Sequence, residues 1–248
     1  MQHDGFANRS VVVTGASRGL GKGCAVAFAA QGAEVVLVAR DHGELERVAA
    51  EIRGKGGEAR VAACDVTVDA DVQRLFAGLD RCDILVNNAG ANRPQPFLEV
   101  DFETLDALLT LNVRSMFVVA QAAARRMTQA HSGAIVNMSS QMGHVGGLRR
   151  TVYCMTKHAI EGLTKAMALD LAGSGIRVNA VAPTYIETPM TQPMLADQAF
   201  LQDVVRRIPL GRVGTIDEVV AAVLFLASSE ASLITGTSLL VDGGYTAQ

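Results

Sequence analysis

The strongest constraint on the fold is an alternation. From Ser10 almost to the C-terminus, short β-branched runs trade places with longer segments rich in alanine and leucine. SVVVTG (Ser10 to Gly15) precedes KGCAVAFAAQG (Lys22 to Gly32), EVVLVA (Glu34 to Ala39) precedes a helical stretch ending near Gly54, and EARVAACD (Glu58 to Asp65) precedes one over Asp69 to Leu79. CDILVNNAG (Cys82 to Gly90) is the next strand. None of these runs shows the every-other-residue polarity of a half-exposed strand, so they read as parallel strands covered on both faces. Parallel neighbours need crossover connections, and the expected architecture is α/β: a doubly wound Rossmann fold with helices on both faces of the sheet.

The second half keeps the beat. Phe97 to about Ala130 is helical in period, with an expected irregularity near Asn112, followed by the strand GAIVNMS, a long helix over Thr151 to Leu171 and the strand IRVNAVAP. Pro183, Pro189 and Pro193 argue against one regular helix, and LADQAFLQDVVRRI then regains helical period, so 184–210 is expected to form a lid. A helix over Thr215 to Ser228 and the strand SLLVDGG bring the count to about seven strands. A chain of 248 residues suits a single domain of this class, spanning 1–248.

A hydrophobic share of 49% fits a large buried core and leaves room for buried subunit faces. The formal charge of -3, without a clustered basic excess, gives no reason to expect nucleic acid or an anionic membrane as partner. Cys24, Cys64, Cys82 and Cys154 are scattered, with no CxxC pair and no histidine at ligand spacing, so neither a metal site nor a disulfide framework is expected. MQHDGFANRS lacks the apolar centre of a signal peptide, and no uninterrupted apolar run approaches the roughly 18 residues of a membrane span. The expected location is cytoplasmic.

TGASRGLG (Thr14 to Gly21) sits where the first strand stops and the first helix begins. Gly15, Gly19 and Gly21 permit a tight turn, and the backbone around Ser17, Arg18 and Leu20 can then approach a pyrophosphate at the helix N-terminus. The alternative is a turn that binds nothing. At the end of the second strand, where an acid would accept a ribose 2′-hydroxyl, the chain reads Ala39-Arg40. Arg40 with Arg18 suits a 2′-phosphate and favours NADP(H) over NAD(H), although Asp41 is placed to neutralise Arg40 or face the ribose, and either arginine also suits a solvated surface.

These motifs coincide with NNAG (Asn87 to Gly90), Asn112 in a helix, Ser140 closing NMSS, and Tyr153 with Lys157. Together, from Val11 to Gly244, they resemble the short-chain dehydrogenase/reductase family in its classical subgroup. The resemblance implies an NAD(P)(H)-dependent oxidoreductase acting on a small carbonyl or alcohol substrate, and self-association as a homotetramer or dimer. It implies that Asp65 and Val66 flank the adenine, that Asn88, Ala89 and Gly90 line the central groove, and that Ile186 and Thr188 meet the nicotinamide carboxamide. It also gives Asn112 the anchoring of a water that links Lys157 to solvent. One departure stands out: the family's usual Pro-Gly after the sixth strand is here Pro183-Thr184, followed by Tyr185.

Residues at i and i+4 share a helix face, so Tyr153 and Lys157 can address one cofactor. A nearby ammonium favours the phenolate and is expected to lower the tyrosine pKa from about 10. Tyr153 then serves as general acid/base, Ser140 orients the reacting oxygen, and Lys157 holds the nicotinamide ribose. The segment between Ser140 and Tyr153 offers Gln141, His144, Arg149 and Arg150 as candidate substrate contacts, with Tyr185 from the lid. An arginine there suits the carboxylate of a sugar acid or another oxo/hydroxy acid; equally, Arg149 and Arg150 suit a solvated helix start or a subunit contact. Polyols and small cyclic ketones stay open, as does the 3-oxoacyl-[acyl-carrier-protein] reductase reading, although QAHSGA (Gln129 to Ala134) and LAGSGI (Leu171 to Ile176) offer no arginine for an acidic carrier. From another class, a catalytically silent dinucleotide-binding sensor is disfavoured because every candidate catalytic position holds a competent residue type.

Overall fold

Val11, Val12 and Val13 have no solvent-exposed surface at all, as only the middle strand of a sheet covered on both sides allows. In the computed structural model, which describes residues 5–248, these residues form β1 (Ser10–Thr14), paired in parallel with β2 (Glu34–Ala39) and β4 (Ile84–Asn87). β3 (Glu58–Ala63), β5 (Gly133–Met138), β6 (Ile176–Pro183) and β7 (Ser238–Val241) complete a seven-stranded parallel sheet of order β3-β2-β1-β4-β5-β6-β7. Register is set by apolar partners such as Val12 opposite Val36 and Val86 opposite Val136. The expected Rossmann architecture is what the chain adopts; the polar N-terminal reading begins in residues 1–4, outside those described.

The strand order reverses between β1 and β4. That switch point opens a crevice at the carboxyl ends of the strands, where ligands bind in open α/β sheets. One face of the sheet is covered by α1 (Gly19–Ala30) and α9 (Ile216–Ala227), with Phe28 and Val223 fully buried. The opposite face is covered by α3 (Asp69–Ala77) and α5 (Ser115–Ala130), through Phe76, Val119, Ala123 and Met127. Each large apolar side chain buried this way contributes about 1.5–3 kcal/mol. α2 (His42–Gly54) packs beside β3.

α4 (Phe102–Leu109) runs through a π-turn at Thr110–Arg114 into α5, so the irregularity expected near Asn112 is one extra residue per turn rather than a break. Phe102–Ala130 is thereby one 29-residue helical run, long and apolar enough by length and composition to cross a membrane. Its apolar stripe lies on the sheet. α6 (Thr151–Ala172) extends a residue beyond expectation. The proline-rich stretch is not one regular helix, as expected, and the helical period after it is α8 (Gln198–Arg206), but a short α7 (Gln192–Leu195) that the sequence did not announce precedes it; α8 is capped by Asp197, whose Oδ1 accepts from Ala199 N at 2.9 Å.

Candidate active site

Thr14, the last residue of β1, clips the two sides of the crevice together. Its Oγ1 accepts from Asn88 N at 2.9 Å and Ala89 N at 3.0 Å, while Asn88 Nδ2 donates back to Thr14 O at 3.0 Å. Gly15 and Gly19 sit at φ of +66° and +55°, in the left-handed region that glycine enters freely. A Cβ on Gly21 would stand 2.2 Å from Gly15 O, so only glycine lets α1 begin this close to the turn. A Cβ on Gly19 would project toward Thr188 and Pro189, which stand 3.8 and 3.9 Å away across a gap. The first turn of α1 has neither a side-chain cap nor an acidic residue. Open backbone amides beside a gap a side chain would fill are what a pyrophosphate requires, and the residues present fit a dinucleotide.

Further along the crevice, Asp65 follows β3 and accepts from Thr67 N at 2.9 Å and Thr67 Oγ1 at 2.7 Å. Burial pushes its carboxyl upward, but those bonds and the charge of Arg40 outweigh burial and hold it below the ordinary range. Val66 beside it is buried. Arg18 and Arg40 are exposed, and Asp41 is occupied as the cap of α2, its Oδ1 accepting from Glu44 N at 2.9 Å.

Ser140, Tyr153 and Lys157 line one cavity of about 120 Å³ together with Leu20, Asn88, Gly90, Pro183, Ile186 and Thr188. Ser140 caps a single 3-10 turn by accepting from Met142 N at 3.2 Å, and its hydroxyl donates to Gln141 Oε1 at 2.9 Å. Lys157 Nζ donates to Met138 O at 2.8 Å and lies 5.5 Å from the centre of the Tyr153 ring. Burial pulls this ammonium down from its ordinary 10.5 to about 8, with Glu161 opposing. The same burial pushes Tyr153 up from 10.0 to about 12, against the Ser140 hydrogen bond and the positive charge of Arg150. The lowering expected from Lys157 is therefore not realised: desolvation of the phenolate outweighs every favourable neighbour, and the cation that opposes it is Arg150.

Asn112 stands behind the cavity, fully buried in the π-turn. Its Oδ1 accepts from Ala91 N at 2.9 Å, and its Nδ2 donates to Ala91 O at 2.8 Å and to Thr156 Oγ1 at 3.2 Å. Both ends of the amide thus hold the loop after NNAG against α6, between Tyr153 and Lys157 in sequence. The clip by Thr14 and the Met138 carbonyl escaped the sequence reading; the threonine was visible as the first letter of TGASRGLG, but backbone carbonyls carry no sequence signal.

The candidate substrate contacts separate. Gln141 is buried against Ser140. His144 turns away from the cavity, its Nε2 lying 3.0 Å from Ser238 Oγ and 3.3 Å from Glu161 Oε1, in a cluster that Ser139 also joins through Glu161. Arg149 is exposed at a φ of +58°, whereas Arg150 is buried at the start of α6. Tyr185 packs edge-on against Phe200 of α8, ring centres 5.7 Å apart. Thr184, in place of the family's glycine, lines the cavity with a buried Oγ1 that has no hydrogen-bond partner among the described residues. A polar cofactor edge would satisfy it.

The molecule has many relatives. A family model described as enoyl-(acyl carrier protein) reductase matches residues 15–246. L-xylulose reductase of Bos taurus is 39% identical over 243 residues, covering 98% of each chain. Gluconate 5-dehydrogenase of Gluconobacter oxydans is 39% identical over 239 residues, covering 95% of this chain and 93% of its own. Among solved structures, a gluconate 5-dehydrogenase from Burkholderia cenocepacia J2315 in complex with NADP and tartrate superposes with a TM-score of 0.95 at 35% identity, covering 99% of this chain and 98% of its own. Similarity of this extent, joined to a glycine-turn crevice and a tyrosine-lysine pair at the switch point, has one meaning: the chain belongs to the short-chain dehydrogenase/reductase family and is an NAD(P)-dependent oxidoreductase acting on alcohols and ketones.

Proposed function

We propose that this protein interconverts a secondary alcohol and a ketone on a polyol, a ketose or a sugar acid, with Tyr153 as general acid/base and NADP(H) favoured over NAD(H). The meeting of Ser140, Tyr153 and Lys157 in one cavity beside the glycine turn carries this reading. When bound, the nicotinamide supplies a hydride to the carbonyl carbon or takes one from the carbinol carbon. Tyr153 gives its phenolic proton to the carbonyl oxygen in reduction and receives the alcohol proton in oxidation. Ser140 turns its hydroxyl from Gln141 to the same oxygen and fixes its direction. Lys157 binds the nicotinamide ribose, and its charge favours the phenolate when Tyr153 must accept a proton. Asn112 acts through Ala91 and Thr156 as a positioning residue.

Gly15, Ser17, Gly19 and Gly21 cradle the pyrophosphate, Asp65 and Val66 flank the adenine, Asn88 to Gly90 line the middle of the groove, and Ile186, Thr188 and the Thr184 hydroxyl receive the carboxamide end. Arg18 and Arg40, left free of Asp41, bind the 2′-phosphate. The NADP in the Burkholderia relative supports that preference. Residues 184–210 act as the lid, with Tyr185 over the substrate. The exposed Phe117, Met155 and Leu169 on α5 and α6 support a homotetramer or dimer, and the expected location is the cytoplasm.

Replacing Tyr153 with Phe removes the proton and keeps the ring. Turnover is expected to fall roughly 10²-fold or more with cofactor affinity retained. A panel of polyols, ketoses, sugar acids and a 3-oxoacyl thioester, run with both dinucleotides, checks substrate class and preference; near-normal turnover by the Tyr153→Phe variant removes the assigned role.

A further inference from the structure

Arg150 and Arg149 are neighbours in sequence and opposites in environment. Arg150 is 7% exposed, at the start of α6 and one turn ahead of Tyr153. A guanidinium keeps its charge under all ordinary conditions and offers five N–H donors. Among the described residues, the one hydrogen bond from this side chain runs from Nη2 to the thioether of Met194 at 3.3 Å, a weak acceptor without charge. No described carboxylate pairs with it. Asp203, whose charge reaches Tyr185, is already held by Arg206 and Arg207 at 3.0 Å each.

Burying an unpaired charge is strongly unfavourable, so this arrangement calls for an anion that arrives from outside the fold. Its direction of approach is legible. The Arg150 charge acts on the phenols of Tyr153 and Tyr185, one from the reaction cavity and one from the segment expected to cover it. Met194 belongs to α7, directly after Met190 and Thr191, which line the same cavity. The guanidinium therefore lies between the reacting tyrosine and the lid.

We propose that Arg150 is the specificity-determining residue that binds the carboxylate of an aldonate-type substrate, placing a secondary alcohol of that acid against Tyr153 and Ser140. Residues three apart at a helix start lie on one face, so a small acid of about four to six carbons can address both side chains. A planar, bidentate pair excludes neutral polyols of the same shape because they leave the charge unmet. The inference rests on the alcohol/ketone reading above and names the acid among its substrate classes.

The test uses the intact protein with NADP+ and a series of four- to six-carbon aldonates, each beside its own primary amide, together with neutral polyols. The wild type is expected to prefer acid over amide by roughly 10- to 100-fold in kcat/KM, the range of a charge-assisted hydrogen-bonded pair. Arg150→Met is expected to abolish that preference, and Arg150→Lys to restore part of it, charge being kept and the fork lost. Arg150 also influences Tyr153, and a loss through that route lowers acid and amide alike; only recognition moves their ratio. A wild type that oxidises neutral polyols but does not distinguish acid from amide overturns this inference alone, a result that stands even if Arg150→Met fails to fold. Persistence of the preference in Arg150→Met also overturns it. Absence of turnover on every alcohol overturns both this inference and the reading beneath it.

Discussion

At Lys157, burial and charge oppose each other within one side chain, and the balance sets a pH signature. The folded protein holds the ammonium proton only to about pH 8, whereas the unfolded chain holds it to 10.5. Between those values the unfolded state carries the extra proton, so stability rises with pH, and below about 8 the burial penalty is fully present. Tyr153 works the other way: folded, it keeps its proton to about 12, while the unfolded phenol releases it near 10.0, so its contribution is lost as pH climbs through that range. Replacing Lys157 with Met removes the first effect. Chemical denaturation of the ligand-free protein is expected to show the wild type gaining on the order of 2 kcal/mol over Lys157→Met between about pH 8 and pH 10, and parallel curves count against the buried, depressed lysine. Residue types at these positions were legible in the sequence. Their protonation was not, because desolvation depends on what packs around a group rather than on its neighbours along the chain.

Among the elements, the junction of β1 and α1 has the least tolerance. The Cβ of a Gly21→Ala variant would meet Gly15 O at 2.2 Å and Asn88 Nδ2 at 2.6 Å, the latter held by the Thr14 clip and itself donating to Gly15 O. Relief requires α1 to back away from the turn. Gly21→Ala is expected to lose roughly 1–3 kcal/mol of stability from overpacking and most of its dinucleotide affinity, measured by quenching or enhancement of NADPH fluorescence. Unaltered affinity would show that the close start of α1 is not what cradles the pyrophosphate. The strand-helix alternation and the glycine turn were readable because each depends on local periodicity and backbone freedom. The π-turn at Thr110–Arg114 was readable only as an irregularity, since its purpose, aiming Asn112 at Ala91 and Thr156, involves partners far along the chain.

For the whole molecule, apolar surface is divided between the core and the outside. α5 buries Met116, Val119, Ala120 and Ala123 on the sheet, yet Phe117 remains 49% exposed, and on α6 Leu169 is 82% exposed. A charge at an exposed leucine costs an isolated subunit little but disrupts an apolar contact between subunits. Leu169→Asp is expected to shift the protein toward smaller species in light scattering while leaving the monomer folded by circular dichroism; an unchanged mass places the subunit contact elsewhere. The sequence by itself determined the layered parallel sheet, the glycine turn and the residue types of the reaction centre, because hydrophobic period, glycine placement and side-chain chemistry are properties of short stretches. It left Arg149 and Arg150 equivalent. Only the tertiary structure separated them: the left-handed backbone at Arg149 leaves its side chain in solvent, while Met194, more than forty residues downstream, closes over Arg150 beside Tyr153. Burial of a particular charge is decided by the partners the fold brings to it, and no local pattern encodes them.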